Sequence, residues 1–175
     1  LFKNMEIWFY PSKEIASILK SAAAKTDLGG DFDPQMRTAD PRFGDFQANG
    51  VLPAAKQRKA NPRALAQQLV DALKAENAID ESLVEVSIAG PGFVNFKLTP
   101  KFLNAWLEKF KGETELKTAA GKFYNGKKVI IDYPSPNTAK QMHVGHLRPM
   151  VIGEAVKRLL KFCGADIKTD NHIGD

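Results

Sequence analysis

Two histidines lie three residues apart at the end of the run from Ser135 to His146, and their spacing suits nucleotide chemistry. The run also contains Lys140, His143 and Gly145. Histidines three apart at the start of a helix face the same way, so both could donate hydrogen bonds to phosphate oxygens as charge develops during nucleotidyl transfer. Gly145 leaves space for a flat base, and Lys140 adds a mobile cation. The run therefore predicts a nucleotide site.

Other polar residues near the histidines suggest a second ligand at the same place. Ser135 and Asn137 offer a hydroxyl and an amide, which suit a small polar substrate. A zinc site is the alternative for two histidines, but no third ligand stands at a convincing spacing. Asp132, His172 and Asp175 are close only in sequence. We therefore expect no metal held by these side chains.

The elements around this run predict one βαβ crossover of a parallel sheet. Val129 to Ile131 reads as a short buried strand, residues 146–163 as an amphipathic helix, and residues 165–170 as a second strand. In such a sheet, ligands bind at the carboxyl ends of the strands, and the start of the following helix attracts phosphate. The residues expected on the buried stripe of the helix are Ile152, Ala155, Val156, Leu159 and Leu160.

The first 111 residues predict an α+β module, with helices packed on a small antiparallel sheet. Helices are expected at 12–25 with Ser12 as cap, at 61–77 with Asn61 as cap, and after Thr99-Pro100 with Phe102, Leu103, Trp106, Leu107 and Phe110 inward. Strands are expected within 43–49, before a turn at Asn49-Gly50, and at 83–88 and 93–98. The predicted domains are residues 1–111, a linker at 112–127, and residues 128–175.

Composition restricts the function classes only coarsely. Hydrophobic residues make up 43% of the 175, enough for a packed core. The net charge of +5 favours a polyanionic partner weakly, because acidic residues are interspersed throughout. The single cysteine, Cys163, excludes an internal disulfide and fits a reducing cytoplasm. It lies in an apolar helical stretch and is interpreted as a buried small side chain. No apolar run approaches the roughly 20 residues of a membrane span.

At this point the motifs resemble a known family. The run His143-Val144-Gly145-His146 is similar to the HIGH motif of class I aminoacyl-tRNA synthetases. Its surroundings, residues 132–142, 147–148 and 171–175, resemble arginyl-tRNA synthetases in particular. Upstream, residues 44–49 and 89–96 look like that family's N-terminal tRNA-binding domain. One departure is Pro134, where a small polar residue is expected.

The resemblance implies an N-terminal module followed by the first βαβ unit of a Rossmann-like catalytic domain. It implies ATP-dependent activation of L-arginine, with Mg²⁺ accompanying ATP, and transfer to tRNA(Arg) by a cytoplasmic, monomeric enzyme. The resemblance assigns ATP contacts to His143, Gly145, His146 and Lys140, catalysis to His143, His146 and Lys140, arginine binding to Ser135 and Asn137, and contacts with the tRNA D-loop to Phe93, Asn95, Gln47 and Asn49. Lys140 would replace the lysine of the second class I signature, KMSKS.

Alternatives remain open from the sequence. Small cofactor adenylyltransferases also use a His-x-Gly-His motif, although about 125 residues precede the first strand here. Residues 1–111 could act as a free RNA-binding module. Phe93 could be a core residue, and the cluster Lys56, Arg58, Lys59 and Arg63 could be a solvated face or a phosphate contact. One βαβ unit leaves an open sheet edge, so we expect the chain to be an N-terminal fragment, inactive alone.

Overall fold

The computed structural model describes residues 7–137 and 139–172, which fall into two units that divide between Lys109 and Phe110. The first unit contains four helices and four strands. In chain order they are α1 (Pro11–Ala23), β1 (Met36–Thr38), β2 (Phe46–Ala48), α2 (Val51–Arg58), α3 (Pro62–Ala75), β3 (Val84–Ala89), β4 (Phe93–Leu98) and α4 (Pro100–Phe110).

The strands of the first unit form one antiparallel sheet with the order β1-β2-β4-β3. Successive side chains of a strand point to opposite faces. Val94 and Phe96 therefore point to the core face, where they join Leu19 of α1 and Leu69 of α3. The other face, which we call the outer face, carries one polar row across all four strands. The register places in this row Arg37, Gln47, Asn95 and Ser87.

Helix starts follow local chemistry, with two corrections to the prediction. Asn61 caps α3 as expected. Ser12 does not cap α1: the cap position is Tyr10, because Pro11 already occupies the first helical turn. Helix α2 begins directly after Gly50, where only a turn was predicted. Ala54 and Ala55 pack it in the core, and a stretch of small residues carries little apolar periodicity for sequence reasoning to detect.

The second unit contains α5 (Glu113–Ala120), β5 (Lys128–Asp132), a short 3₁₀ turn (Val144–His146), α6 (Leu147–Phe162) and β6 (Asp166–Asp170). Strands β5 and β6 are parallel, with Asp132 opposite Asp170 at their carboxyl ends. The helix α5 lies in the segment that was predicted to be a linker. The α+β module followed by a βαβ unit confirms the predicted fold class.

Several apolar side chains predicted to be buried are exposed. In α4, Leu103 and Leu107 face solvent, while Phe102 is buried. In the second unit, Ile130 and the predicted stripe of α6 are largely exposed, including Ile152, Val156 and Leu159. The described part of this unit supplies only two strands and two helices, so nothing there covers these faces. Periodicity identified the helices, but burial depends on the layers that pack on them.

The cap of α3 gives a test of the first unit. The Asn61 side chain accepts hydrogen bonds from the backbone N–H groups of Arg63 (2.9 Å) and Ala64 (3.3 Å). We expect Asn61→Ala to lower the free energy of unfolding of this unit by about 1 kcal/mol, and Asn61→Asp, which keeps the acceptor, to stay close to wild type. Urea unfolding followed by tryptophan fluorescence is selective here, because Trp8 and Trp106 both lie in the first unit. Equal losses in both variants would contradict the capping role.

Candidate functional site

The two histidines hold each other at the start of α6. The Nδ1 atom of His143 accepts a hydrogen bond from Gly145 N–H at 3.1 Å, and His143 N–H in turn donates to Nδ1 of His146 at 3.1 Å. This is a reciprocal capping box, and the ring centroids are 4.2 Å apart. Because His143 Nδ1 accepts, its Nε2 carries the ring hydrogen. Nδ1 of His146 lies 3.1 Å from His143 N and 3.2 Å from His143 O, and in the capping box it accepts from the N–H, which places the hydrogen of this ring on Nε2 as well. In this arrangement the pair presents two neighbouring Nε2–H donors at the helix start.

The position of Ser135 is fixed by the ends of both parallel strands. Its hydroxyl donates to the Asp132 carboxylate, and its backbone N–H donates to Oδ1 of Asn171 at 3.1 Å. His172 N–H also donates to Asp132, at 3.1 Å. The Ser135 hydroxyl and then the His172 N–H lower the pKa of Asp132 below its ordinary value. Asp132 is therefore a carboxylate that holds Ser135 and His172 at the carboxyl end of β5.

Asn137 and Lys140 lie in the same loop. The Asn137 side chain is held by a hydrogen bond to the backbone, whereas the Lys140 side chain is exposed. Oδ1 of Asn137 accepts a hydrogen bond from Ala139 N–H at 2.8 Å, which shapes the loop locally. A carbonyl oxygen has a second lone pair, so this atom retains one acceptor position and the NH₂ group its donors. The Lys140 side chain is exposed and pairs with no carboxylate among residues 7–137 and 139–172. Thr138, between them, lies outside the described residues.

Tyr133 fastens the beginning of this loop to α6. Its hydroxyl donates to Glu154 at 2.5 Å, and its ring lies against Gly153, where an added Cβ would approach the ring to 2.4 Å. Arg158 and Lys157 donate to the same carboxylate at 2.8 and 3.3 Å. Sequence reasoning missed this contact. The available signal was Gly153 itself, because glycine in the middle of a helix costs stability unless something packs closely on it.

The contact between Tyr133 and Glu154 predicts an unusual titration. The Tyr133 hydroxyl and then Arg158 lower the Glu154 pKa to about 2. A carboxylate whose pKa is lowered on folding stabilises the folded state at pH values above its ordinary pKa. This stabilisation is lost as the pH falls towards the pKa of the folded state. We therefore expect Glu154 to titrate near pH 2 by carboxyl-carbon NMR, and Tyr133→Phe to move the midpoint up towards 4.5. A wild-type midpoint at its ordinary value would contradict the contact.

The four residues assigned to RNA lie together on the outer face of the first unit. Nε2 of Gln47 donates to Oδ1 of Asn95 at 2.8 Å, across neighbouring strands. Phe93 is half-buried on the same face and is not a core residue. Asn49 follows the end of β2, and the same register continued by one residue sets it opposite Phe93. Sequence reasoning therefore selected residues from separate segments that the sheet brings side by side.

Two amide atoms of this cluster are buried without a hydrogen-bond partner. They are Nδ2 of Asn95, a residue only 1% exposed, and Oδ1 of Asn49. Leaving a buried polar atom unpaired costs about 1–3 kcal/mol, so such atoms are uncommon in native proteins. One is a donor and the other an acceptor, so each can form a hydrogen bond with a complementary group of a ligand.

The basic cluster Lys56, Arg58, Lys59 and Arg63 has divided roles. Arg58 donates to Leu28 O at 2.5 Å and to Asp31 at 3.1 Å, so it has a structural role. Arg63 donates to Gly90 O at 3.4 Å, in the turn that precedes Phe93. Lys56 and Lys59 are exposed. Arg63 is therefore the member of the cluster that lies nearest to the outer-face residues.

The described residues contain neither a cluster of metal ligands nor a membrane-spanning helix. Within them, no group of three or more His, Cys, Asp or Glu side chains is arranged to hold a metal ion. Of the helices they form, none combines the length and apolar character that crossing a membrane requires.

Comparisons with known proteins match both units. Residues 13–98 match the family described as the arginyl tRNA synthetase N terminal domain, and residues 113–175 match the tRNA synthetases class I (R) catalytic domain. The chain is 42% identical over 159 residues to an arginine–tRNA ligase of Pseudoalteromonas translucida, and 44% identical over 158 residues to that of Laribacter hongkongensis. Each alignment covers 89% of this chain and 26% of the relative.

Solved structures share the fold. Arginyl-tRNA synthetase from Plasmodium falciparum matches with a TM-score of 0.63 and 23% identity, over 94% of this chain and 30% of that one. The Thermus thermophilus arginyl-tRNA synthetase matches with a TM-score of 0.59 and 23% identity, over 93% of this chain and 25% of that one.

The parallel strands, the histidine pair at the start of α6 and the matched catalytic domain define a class I aminoacyl-tRNA synthetase. Within that class, the match to the N-terminal domain and the identity to curated relatives both indicate the arginine enzymes. The chain belongs to the arginyl-tRNA synthetase family, and it spans about a quarter of the length of the curated relatives it matches.

Proposed function

We propose that the protein containing this chain activates L-arginine with ATP and transfers it to tRNA(Arg), as a monomeric cytoplasmic enzyme. The support is family membership together with a site whose geometry suits the first step. Mg²⁺ would accompany ATP as part of the substrate, since its usual role in such reactions is to bind substrate phosphates.

The observation that carries this proposal is the reciprocal hydrogen bonding of the two histidines. It leaves both Nε2–H groups without a partner in the cap, at the 3₁₀ turn that leads directly into the 16-residue helix α6. Donors fixed before the reaction stabilise developing phosphate charge without reorganising during it. We assign His143 and His146 to the phosphates of ATP and Lys140 to the same anionic charge. Gly145 is assigned to the nucleotide site through the His143 ring, because a Cβ at this position would lie 2.8 Å from that ring.

Arginine binding is assigned to Ser135 and Asn137. The Ser135 hydroxyl is held by Asp132, so its oxygen is oriented and still able to accept a hydrogen bond. The remaining acceptor position of Asn137 suits an α-ammonium group, as the family resemblance implies. Asp132 adds a negative charge beside Ser135, which favours a cationic substrate at this edge of the sheet.

The outer face of the first unit is assigned to the tRNA D-loop. Phe93 would stack on an unpaired base, and the unpartnered Oδ1 of Asn49, which lies opposite Phe93 in register, would bind its edge. Gln47 holds the Asn95 amide in one orientation. Arg63 would contact a phosphate next to the stacked base.

Pyrophosphate exchange tests the reaction and the role of the histidines. We expect a protein that continues this chain over the length of its relatives to exchange pyrophosphate into ATP only with arginine and tRNA(Arg), and the 175-residue chain alone to show no exchange. His143→Gln places an amide donor near the Nε2 position, whereas His143→Asn places one near Nδ1. We therefore expect kcat to fall about 10²–10³-fold in His143→Asn and less in His143→Gln.

Two outcomes would contradict these assignments. Exchange driven by a different amino acid would exclude arginine activation. Equal activity of the Gln and Asn variants, with unchanged melting temperatures, would exclude the Nε2 donor.

Binding of tRNA tests the outer face separately. Stacking on an aromatic side chain contributes about 1–3 kcal/mol per base. We expect Phe93→Ala to weaken binding of a tRNA(Arg) transcript to the 175-residue chain by about tenfold, with the fluorescence-detected unfolding of the first unit unchanged. The control is Phe123→Ala in the second unit, which removes the same aromatic ring from a side chain that is 42% exposed. Unfolding of the first unit in Phe93→Ala, or unaltered binding, would contradict the assignment.

A further inference from the structure

A cavity of about 350 Å³ lies between the loop Asp40–Gly44 and the outer face of β3 and β4. Its lining includes Arg42, Phe43, Ser87, Asn95 and Lys97. The volume lies in the range of sites for small ligands, ~300–1,000 Å³. Of these residues, only Asn95 belongs to the cluster assigned above to the D-loop.

The loop that forms one wall of the cavity is held in place from both ends. Arg42 donates through Nε and Nη2 to the two carboxylate oxygens of Asp40, at 3.1 and 2.8 Å, and Phe43 N–H donates to Asp40 O at 2.8 Å. At the other end, Gly44 has φ +131°, and a Cβ there would lie 2.7 Å from Phe96 O. Only glycine permits this approach. These contacts and the glycine together set the conformation of the wall.

The exposed aromatic ring of this wall is Phe43. Its side chain is 47% exposed, although it belongs to a unit with a substantial apolar core. The Arg42 guanidinium lies 5.6 Å from the ring centroid and covers part of the ring. The bidentate pair with Asp40 orients Arg42 beside the ring. An exposed, supported ring is a platform on which an unpaired base can stack.

The floor of the cavity offers an unused donor. Oδ1 of Asn95 is engaged by Gln47 of β2, which leaves Nδ2 of the same amide, and Ser87 of β3 lies opposite Asn95 in register. That Nδ2 is buried and has no partner in the described structure. Ser87 also lines the cavity, so a ligand entering there would meet an amide donor and a hydroxyl together.

The rim of the cavity carries both signs of charge. Lys97 is exposed and forms no ion pair among the described residues, and Glu85 is its register partner on β3. A nucleotide suits this arrangement, because Lys97 can contact a phosphate and Glu85 can accept a hydrogen bond from an exocyclic amino group.

We propose that this cavity binds a second unstacked nucleotide of the tRNA, next to the one assigned to Phe93, with its base on Phe43 and its phosphate at Lys97. The proposal rests on the tRNA-binding role of the outer face. Asn95 then stands between two nucleotides, with Phe93 and Phe43 as separate stacking surfaces.

Two variants test the cavity in the 175-residue chain, with a fluorescent tRNA(Arg) transcript as probe. Phe43→Leu removes the aromatic ring and retains an apolar side chain, and we expect it to weaken binding about tenfold. Phe123→Leu is its matched control, since Phe123 is 42% exposed and lies in the second unit. Lys97→Gln removes one exposed charge, and we expect it to reduce the slope of log K against log salt by about 0.7–0.9, the contribution of one phosphate contact. Its control is Lys20→Gln on α1, which packs on the core side of the sheet.

The outcomes separate this inference from the proposed function. Loss of binding in both Phe93→Ala and Phe43→Leu, with controls unchanged, supports two nucleotides on the outer face. Loss in Phe93→Ala with wild-type binding in Phe43→Leu and an unchanged salt slope in Lys97→Gln overturns the second nucleotide and leaves the D-loop assignment standing. Wild-type binding in all three variants overturns both. Should Phe43→Leu unfold the first unit, the salt slope of Lys97→Gln decides alone.

Discussion

The hydrogen bonds between His143 and His146 determine what the second unit can present to a ligand. They satisfy two backbone N–H groups at the start of α6, and in doing so they use the Nδ1 atom of each ring. When both Nδ1 atoms accept in this way, the Nε2–H groups are the ring donors available to a ligand, and the ring centroids lie 4.2 Å apart. The two histidines of the motif are therefore one structural unit. Their Nδ1 atoms cap the helix start, and this capping decides that the Nε2–H groups are presented to a ligand.

The same arrangement recurs elsewhere in the chain: a neighbour holds one atom of a polar side chain, and the other atom is left for a ligand. Asp132 orients the Ser135 hydroxyl, and Gln47 orients the Asn95 amide. Tyr133, hydrogen-bonded to Glu154, fastens to α6 the beginning of the loop that carries Ser135 and the histidines. Each contact restricts rotation before a ligand arrives, which lowers the entropy lost on binding.

Much of this could be predicted from the sequence, and the failures have physical reasons. Caps such as Asn61 and alternating strands such as 93–98 are local features, and the structure has them as predicted. The stripe of α6 was assigned correctly to a helix but wrongly to the interior, because burial depends on neighbouring layers. The partners Asp132, Glu154 and Asn171 were missed as site residues, since strand register and helix packing bring them to the site, whereas spacing along the chain does not reveal them.

The central claim is that the histidine cap fixes both rings as Nε2–H tautomers. Long-range ¹H–¹⁵N NMR of the imidazole groups measures this directly, and the chain has only three histidines to assign. At a pH where the rings are neutral, the account predicts a protonated-type ¹⁵N shift at Nε2 and a bare-type shift at Nδ1, for both His143 and His146. Averaged shifts at the two nitrogens of either ring, or a proton on Nδ1, would contradict it.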